Sequence, residues 1–85
     1  MYEIELRRNA HKALDKIQEA ERTKIVPALL GLEKDPRPKG VEKIRGTELW
    51  RIRAGNYRIV YHIDDEANKV IVVRVGHRRD VYRGL

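Results

Sequence analysis

The fold is decided by residues 49–77, LWRIRAGNYRIVYHIDDEANKVIVVRVGH. Apolar and polar side chains alternate here in three runs, residues 49–54, 57–64 and 69–77. This period of two is typical of strands that bury one face. The separators, Gly-Asn at 55–56 and Asp-Glu-Ala-Asn at 65–68, are turn signals. The segment therefore predicts a three-stranded antiparallel meander.

Upstream of the meander, the pattern predicts one strand and two helices. Residues 2–6 alternate like a strand, and from Arg8 the apolar spacing becomes helical, with Asn9 as the helix cap. A second helix is predicted over residues 21–34, after a turn at 20–23. Pro27 lies inside that helix, so we expect a kink or a restart near residue 26.

Together these elements predict an α+β fold in one domain, residues 1–85, with the helical hairpin on one face of the sheet. The sheet should have four mostly antiparallel strands, with the first strand beside the last or the central one. Residues 41–46 are ambiguous and fit a short extended lead-in.

Strand parity sorts the meander side chains into two surfaces. We expect an apolar face toward the helices, made of Trp50, Ile52, Tyr57, Ile59, Tyr61, Ile63, Ile71, Val73 and Val75. The second face should carry Leu49, Val60, His62, Val70, Val72 and four arginines: Arg51, Arg53, Arg58 and Arg74. Those arginines would repel one another unless an anion lay between them, which suits an RNA backbone. Solvated strand arginines that discourage aggregation are the alternative.

Charge and composition narrow the class of protein. The net charge of +6 lies entirely in residues 37–85, which hold 12 basic and 6 acidic side chains. A basic segment of this kind is typical of a polyanion binder, although a merely solvated surface is the alternative. There is no Cys, the His residues lack metal-ligand spacing, and no signal sequence or membrane span is evident. We expect a cytoplasmic protein without a metal.

Residues 76–83, GHRRDVYR, gather groups that can contact a nucleotide. His77 exchanges a proton near neutral pH, and Tyr82 offers a ring for base stacking. Arg78 or Arg79 would neutralise a phosphate. In the alternative interpretation, Tyr82 packs back onto the sheet and the basic groups solvate a chain terminus.

Two stretches resemble the RelE-like toxins of the RelE/ParE superfamily: WRIRAGNYRIVY at residues 50–61 and RVGHRRDVY at 74–82. The resemblance covers nearly the whole chain. It implies a toxin of a type II toxin–antitoxin system, bound by a cognate antitoxin, that cleaves mRNA in the ribosomal A site. Cleavage in that family is attack of a ribose 2′-hydroxyl on the adjacent phosphate, with neither a metal nor a small-molecule cofactor.

The resemblance also implies roles for individual residues. Arg58 and Arg78 match the arginines of phosphate stabilisation and leaving-group chemistry, and Tyr82 matches the tyrosine that stacks on the base. Well-studied members often have lysines where Arg51 and Arg53 stand, and arginine is a poor general base. Either His77 is the base, or catalysis rests on charge and positioning. The expected RNA-binding residues are Arg51, Arg53, Arg74, Arg79 and Arg83.

Two other functions exist within the same superfamily. ParE toxins poison DNA gyrase, and an inactive relative would bind RNA without cutting it. The presence of both Arg78 and Tyr82 favours the ribonuclease, because ParE-like chains typically lack this closing cluster.

Overall fold

The structure is a computed structural model that describes residues 1–83. Its elements are β1 (Glu3–Leu6), α1 (Arg8–Lys16), α2 (Glu19–Lys34), β2 (Glu42–Lys43), β3 (Trp50–Ala54), β4 (Tyr57–Asp64) and β5 (Lys69–His77). The α+β class, the helical hairpin and the antiparallel meander are confirmed. Neither helix in the described chain has the length and apolar character to span a bilayer.

The strands form one five-stranded sheet in the order β1-β5-β4-β3-β2. The pairs β2–β3, β3–β4 and β4–β5 are antiparallel, whereas β1 runs parallel to β5, with Glu3 opposite Lys69. The first strand thus lies beside the last, one of the two predicted positions. The ambiguous segment 41–46 contributes β2, a fifth strand of two residues at the sheet edge.

One face of the sheet packs against both helices. The helices contribute Ala10, Ile17, Ile25, Leu29 and Leu32, and the sheet contributes Ile52, Ala54, Ile59, Tyr61, Ile63, Val70, Val72 and Val75. Tyr61 is fully buried, and its hydroxyl donates a hydrogen bond to the Pro36 carbonyl at 2.7 Å. That bond ties the segment after α2 to the centre of the sheet.

The helix boundaries differ from the prediction in two respects. The first helix ends at Lys16, and Ile17 and Gln18 are extended, so the turn comes before residue 20. Glu19 and Glu21 stand in the first turn of α2, where carboxylates are favoured by the positive end of the helix dipole. The N-cap of α1 is Arg7, without a side-chain cap bond, so the prediction of Asn9 as cap was wrong.

Pro27 does not divide the second helix. Residues 19–34 form one α-helix with Pro27 inside it, so the expected restart near residue 26 does not occur. The ring of Pro27 is at the exposed surface, and neighbouring turns bury Ile25 and Leu29 in the core. Apolar contacts on both sides of the proline therefore hold the helix together despite the missing hydrogen bond.

A β-bulge on β5 changes which of its residues face the helices. Val60 is paired with Arg74 but Tyr61 with Val72, so Val73 is an extra residue on β5. As a result Val70 and Val72 lie in the core and are fully buried. The predicted placement of Ile71 and Val73 in the core was wrong, because strict alternation cannot anticipate an inserted residue.

A polar network joins the linker after α2 to the β4–β5 turn. Arg37 donates to both carboxylate oxygens of Asp65, at 3.4 and 3.0 Å, and the Tyr2 hydroxyl donates to Asp65 Oδ1 at 2.7 Å. The Arg37 guanidinium also lies 5.3 Å from the centre of the Trp50 ring. Hydrogen bonding from Arg37, and then from Tyr2, lowers the pKa of Asp65 below its ordinary value.

Candidate nucleic-acid interface

A basic cleft of about 1040 Å³ opens at the β3 side of the sheet. Its wall is formed by Ala28 and Gly31 of α2, by Pro38, Lys39, Gly40 and Glu42, by Arg51, Ile52, Arg53 and Arg58, and by Arg78, Arg79 and Tyr82. Within residues 1–83, the two-residue strand β2 is the only strand that pairs with the outer edge of β3. The cleft therefore combines an arginine-rich wall with an apolar floor.

Arg53 and Arg58 stand directly opposite each other across β3 and β4. Like charges in this position destabilise a sheet unless something lies between them. Arg58 Nη1 donates to the carbonyls of Tyr57 at 3.0 Å and Gly55 at 3.2 Å, and no carboxylate pairs with either arginine among the described residues. An anion such as a phosphate between the two guanidinium groups would relieve their repulsion.

Residues 77–83 turn back over the sheet face opposite the helices. The His77 carbonyl accepts hydrogen bonds from the amides of Asp80 and Val81, at 2.9 and 3.0 Å. The Val81 side chain is buried at 4% exposure, next to Gly76. We call residues 77–83 the terminal turn. It brings the half-buried ring of Tyr82 to the cleft, where the Arg51 guanidinium lies 5.3 Å from the ring centre.

Among the described residues, Glu42 is the one carboxylate that lines the cleft. It comes from β2, opposite Arg51 in the register, and its Oε2 lies 3.3 Å from Arg51 Nη2. The nearby Tyr82 and, to a smaller extent, Glu42 raise the pKa of Arg51, so this guanidinium stays charged. Glu42 was not predicted from the sequence, because residues 41–46 have no clear period. Its separation by nine residues from Arg51 carries no recognisable motif.

The structure brings most of the predicted site residues together, but not all of them. Arg51, Arg53, Arg58, Arg78, Arg79 and Tyr82 line the cleft. Arg74 lies on the same face but donates to carbonyls of the terminal turn, and Arg83 is exposed and paired with Asp80 at 3.4 Å. Neither of them lines the cleft.

His77 lies on the opposite side of the sheet. It pairs with Tyr57 at the helix-facing surface, where the two rings meet edge to face at 5.9 Å between centres. Its neighbours there include Lys16 and Glu21 in a separate depression. The imidazole therefore does not line the arginine cleft, although its Nδ1 accepts a hydrogen bond from the Arg79 amide at 3.4 Å. Within residues 1–83, no group of three or more His, Cys, Asp or Glu side chains is placed to hold a metal ion.

A family model described as the ParE toxin of type II toxin–antitoxin systems, parDE, matches residues 4–82. The chain belongs to the RelE/ParE toxin superfamily. The toxin is also 37% identical over 81 residues to Toxin RelG of Mycobacterium tuberculosis (strain ATCC 25618 / H37Rv), covering 91% of this chain and 86% of that protein.

Solved structures of RelE proteins share the fold of this RelE/ParE toxin. The RelBE2 toxin–antitoxin complex of M. tuberculosis matches with a TM-score of 0.80 and 28% identity, over 91% of this chain and 98% of that one. The intact E. coli RelBE complex matches with a TM-score of 0.79 and 29% identity, over 91% and 96% of the two chains. Both of those toxins were solved together with their antitoxins.

Proposed function

We propose that this toxin is a ribosome-dependent endoribonuclease that cuts mRNA in the A site. The observation that carries the proposal is the cleft, where five arginines, Tyr82 and one carboxylate of the described chain surround a space large enough for a nucleotide. A positive wall with an aromatic ring suits single-stranded RNA, whose phosphates need cations and whose unstacked bases need a flat partner. The chain would act as one domain, residues 1–85, in the cytoplasm where ribosomes are found.

The proposed reaction is transesterification within the RNA. The 2′-oxygen forms a bond to the adjacent phosphorus, and the bond from phosphorus to the 5′-oxygen breaks. A 2′,3′-cyclic phosphate and a free 5′-hydroxyl result. In this proposal Glu42 accepts the proton of the 2′-hydroxyl, and the leaving 5′-oxygen takes a proton from water. No metal or cofactor is required for this balance.

The arginines would stabilise the charge that develops on the phosphate. Arg53 and Arg58 flank the position where an anion relieves their mutual repulsion, and Arg78 approaches from the terminal turn. The Arg51 guanidinium lies over the Tyr82 ring in the free toxin. Once Arg51 moves away, Tyr82 would stack on the base. Arg51 and Arg79 would then hold the RNA backbone. His77 has no part in this mechanism, because it does not line the cleft.

We further propose that a cognate antitoxin covers the cleft. The support is that similar toxins were solved in complex with antitoxins, and that this cleft joins a basic wall to an apolar floor of Ala28, Gly31 and Ile52. An acidic, amphipathic segment complements both features. Titration calorimetry on Arg51→Glu plus Arg58→Glu should show weakened binding of the antitoxin; unchanged affinity would move the antitoxin elsewhere.

The function is tested by adding the purified toxin to a translating extract and mapping message ends by primer extension. We expect new ends in phase with codons, and their loss with a Tyr82→Ala plus Arg78→Ala variant. Intact message with the wild-type toxin would contradict the proposal.

Gyrase poisoning is the second candidate function, favoured by the match to a family model named for ParE. The same preparation should leave gyrase supercoiling of plasmid DNA unaffected if the ribonuclease proposal is correct. Stalled gyrase with intact message would support the second candidate instead.

A further inference from the structure

Arg74 occupies the sheet face opposite the helices but faces protein rather than open solvent. It is half-buried and stands opposite Val60, a fully buried residue. Its Nη1 donates to the Val81 carbonyl at 3.3 Å and to the Arg83 carbonyl. Among the described residues it forms no ion pair with a carboxylate. The guanidinium is therefore engaged with the backbone of the terminal turn on both sides of Tyr82.

The bulge on β5 is what gives Arg74 this orientation. Val72 faces the helices, and in a regular strand Arg74, two residues later, would face them too. The extra residue Val73 reverses the parity, so Arg74 points to the opposite face. The bulge therefore keeps the Arg74 charge out of the core. It also places the guanidinium where it can donate to carbonyls of the terminal turn.

We propose that Arg74 is a positioning residue that holds the terminal turn so that Tyr82 stays at the cleft. The role in catalysis rests on the proposed ribonuclease function. Among the described residues, Val81 is buried beside Gly76, the Arg78 amide donates to the Asn56 carbonyl at 3.0 Å, and Arg74 donates to the carbonyls that flank Tyr82. The Val81 side chain packs the turn against the sheet, and the hydrogen bonds from Arg74 hold the backbone on both sides of Tyr82. A lysine at this position would keep the charge without the planar fork of donors.

The positioning role is tested first without RNA, by amide hydrogen exchange followed by NMR. We expect Arg74→Ala to speed exchange of the Val81 amide by about tenfold or more, since hydrogen bonds from a charged donor contribute substantially to local stability. The amide of Tyr61 should stay protected, which establishes that the variant is folded. Arg53→Ala, which removes a charge from the same face without touching the turn, should leave Val81 unchanged.

Unchanged exchange at Val81 in Arg74→Ala would overturn the proposal. A second outcome is faster exchange at Val81 in Arg74→Ala together with a wild-type toxin that does not cut message. It would reject the ribonuclease function but support Arg74 as the residue that holds the turn. The two failures are thus separate.

A double-mutant cycle then links Arg74 to Tyr82 in cleavage. If Arg74 acts through Tyr82, Arg74→Ala and Tyr82→Ala each lose a similar factor, and the double variant loses little more, within about twofold. Arg74→Lys should not rescue activity. Multiplicative losses, or rescue by lysine, would show that Arg74 contributes its charge directly to RNA and would overturn the positioning role.

Discussion

At the scale of single residues, two arginines of the cleft have no carboxylate partner among residues 1–83. Arg58 and Arg78 both line the cleft. Arg58 Nη1 donates to the backbone carbonyls of Gly55 and Tyr57. We expect Arg58→Ala and Arg78→Ala each to slow cleavage by about 10²–10³, the usual loss for one transition-state charge contact. Single-turnover cleavage on programmed ribosomes measures this. Arg22→Ala, an exposed arginine of α2, should stay within about threefold of wild type.

The choice of proton acceptor gives a second prediction. Glu42 lies in the cleft and His77 does not. Glu42→Gln removes the base while keeping the shape, so it should slow cleavage by about 10² or more. His77→Asn should change the rate little. The same single-turnover assay decides between them, and the reverse pattern would return the role of base to His77.

Sequence could predict the arginines of the cleft but not its carboxylate. Arg51, Arg53 and Arg58 follow from strand parity, because β3 and β4 pair in regular register. Glu42 sits on a two-residue strand whose position depends on tertiary pairing with β3, which no local period reveals. Strand alternation on β5 also predicts that His77 faces the helices together with Val75. This side is not the one expected from the motif at residues 74–82, which suggested His77 as a base.

At the scale of elements, the bulge on β5 decides which valines build the core. Val72 is fully buried against the helices, whereas Val73 is only half-buried. We expect Val72→Ala to lower the free energy of unfolding by about 2 kcal/mol, and Val73→Ala by less than about 1 kcal/mol. Urea denaturation of the two variants provides a matched comparison. Equal losses would contradict the bulged register.

The strands β4 and β5 were predicted with their observed bounds, because alternation and turn residues act locally. The helix turn was placed about three residues late. Ile17 and Ala20 both fit a helical period, yet Ile17 is extended and buried in the core. Its burial is decided by contact with the sheet rather than by the sequence around it.

The network around Asp65 predicts a dependence of stability on pH. Arg37 and Tyr2 hold the pKa of Asp65 below its ordinary value of 3.8. A lowered carboxyl pKa stabilises the fold fully above the unfolded-state pKa, and this contribution is lost as pH falls through the folded-state pKa. Asp65→Asn should therefore lower Tm at neutral pH, and the difference from wild type should vanish in strong acid. Melting curves across pH measure this, with Glu66→Gln on the same turn as control; a difference independent of pH would contradict the network.

At the scale of the whole molecule, the two faces of the sheet have different roles. The face covered by α1 and α2 builds the core, and the opposite face, with the edge at β3, carries the cleft and the terminal turn. The net charge of +6 belongs to residues 37–85, the segment that forms this second surface. A positive field would attract the proposed RNA substrate and also an acidic antitoxin, so one surface could bind either of the two proposed partners.

The most direct test of the proposed chemistry compares two messages on ribosomes stalled with an empty A site. One message is all ribose, and the other carries a single 2′-deoxynucleotide at the position whose 2′-hydroxyl would attack. We predict that the toxin cuts the first message at that position, leaving a 2′,3′-cyclic phosphate, and leaves the second intact there. Cleavage of both messages at that bond, or of neither, would contradict attack by the 2′-hydroxyl.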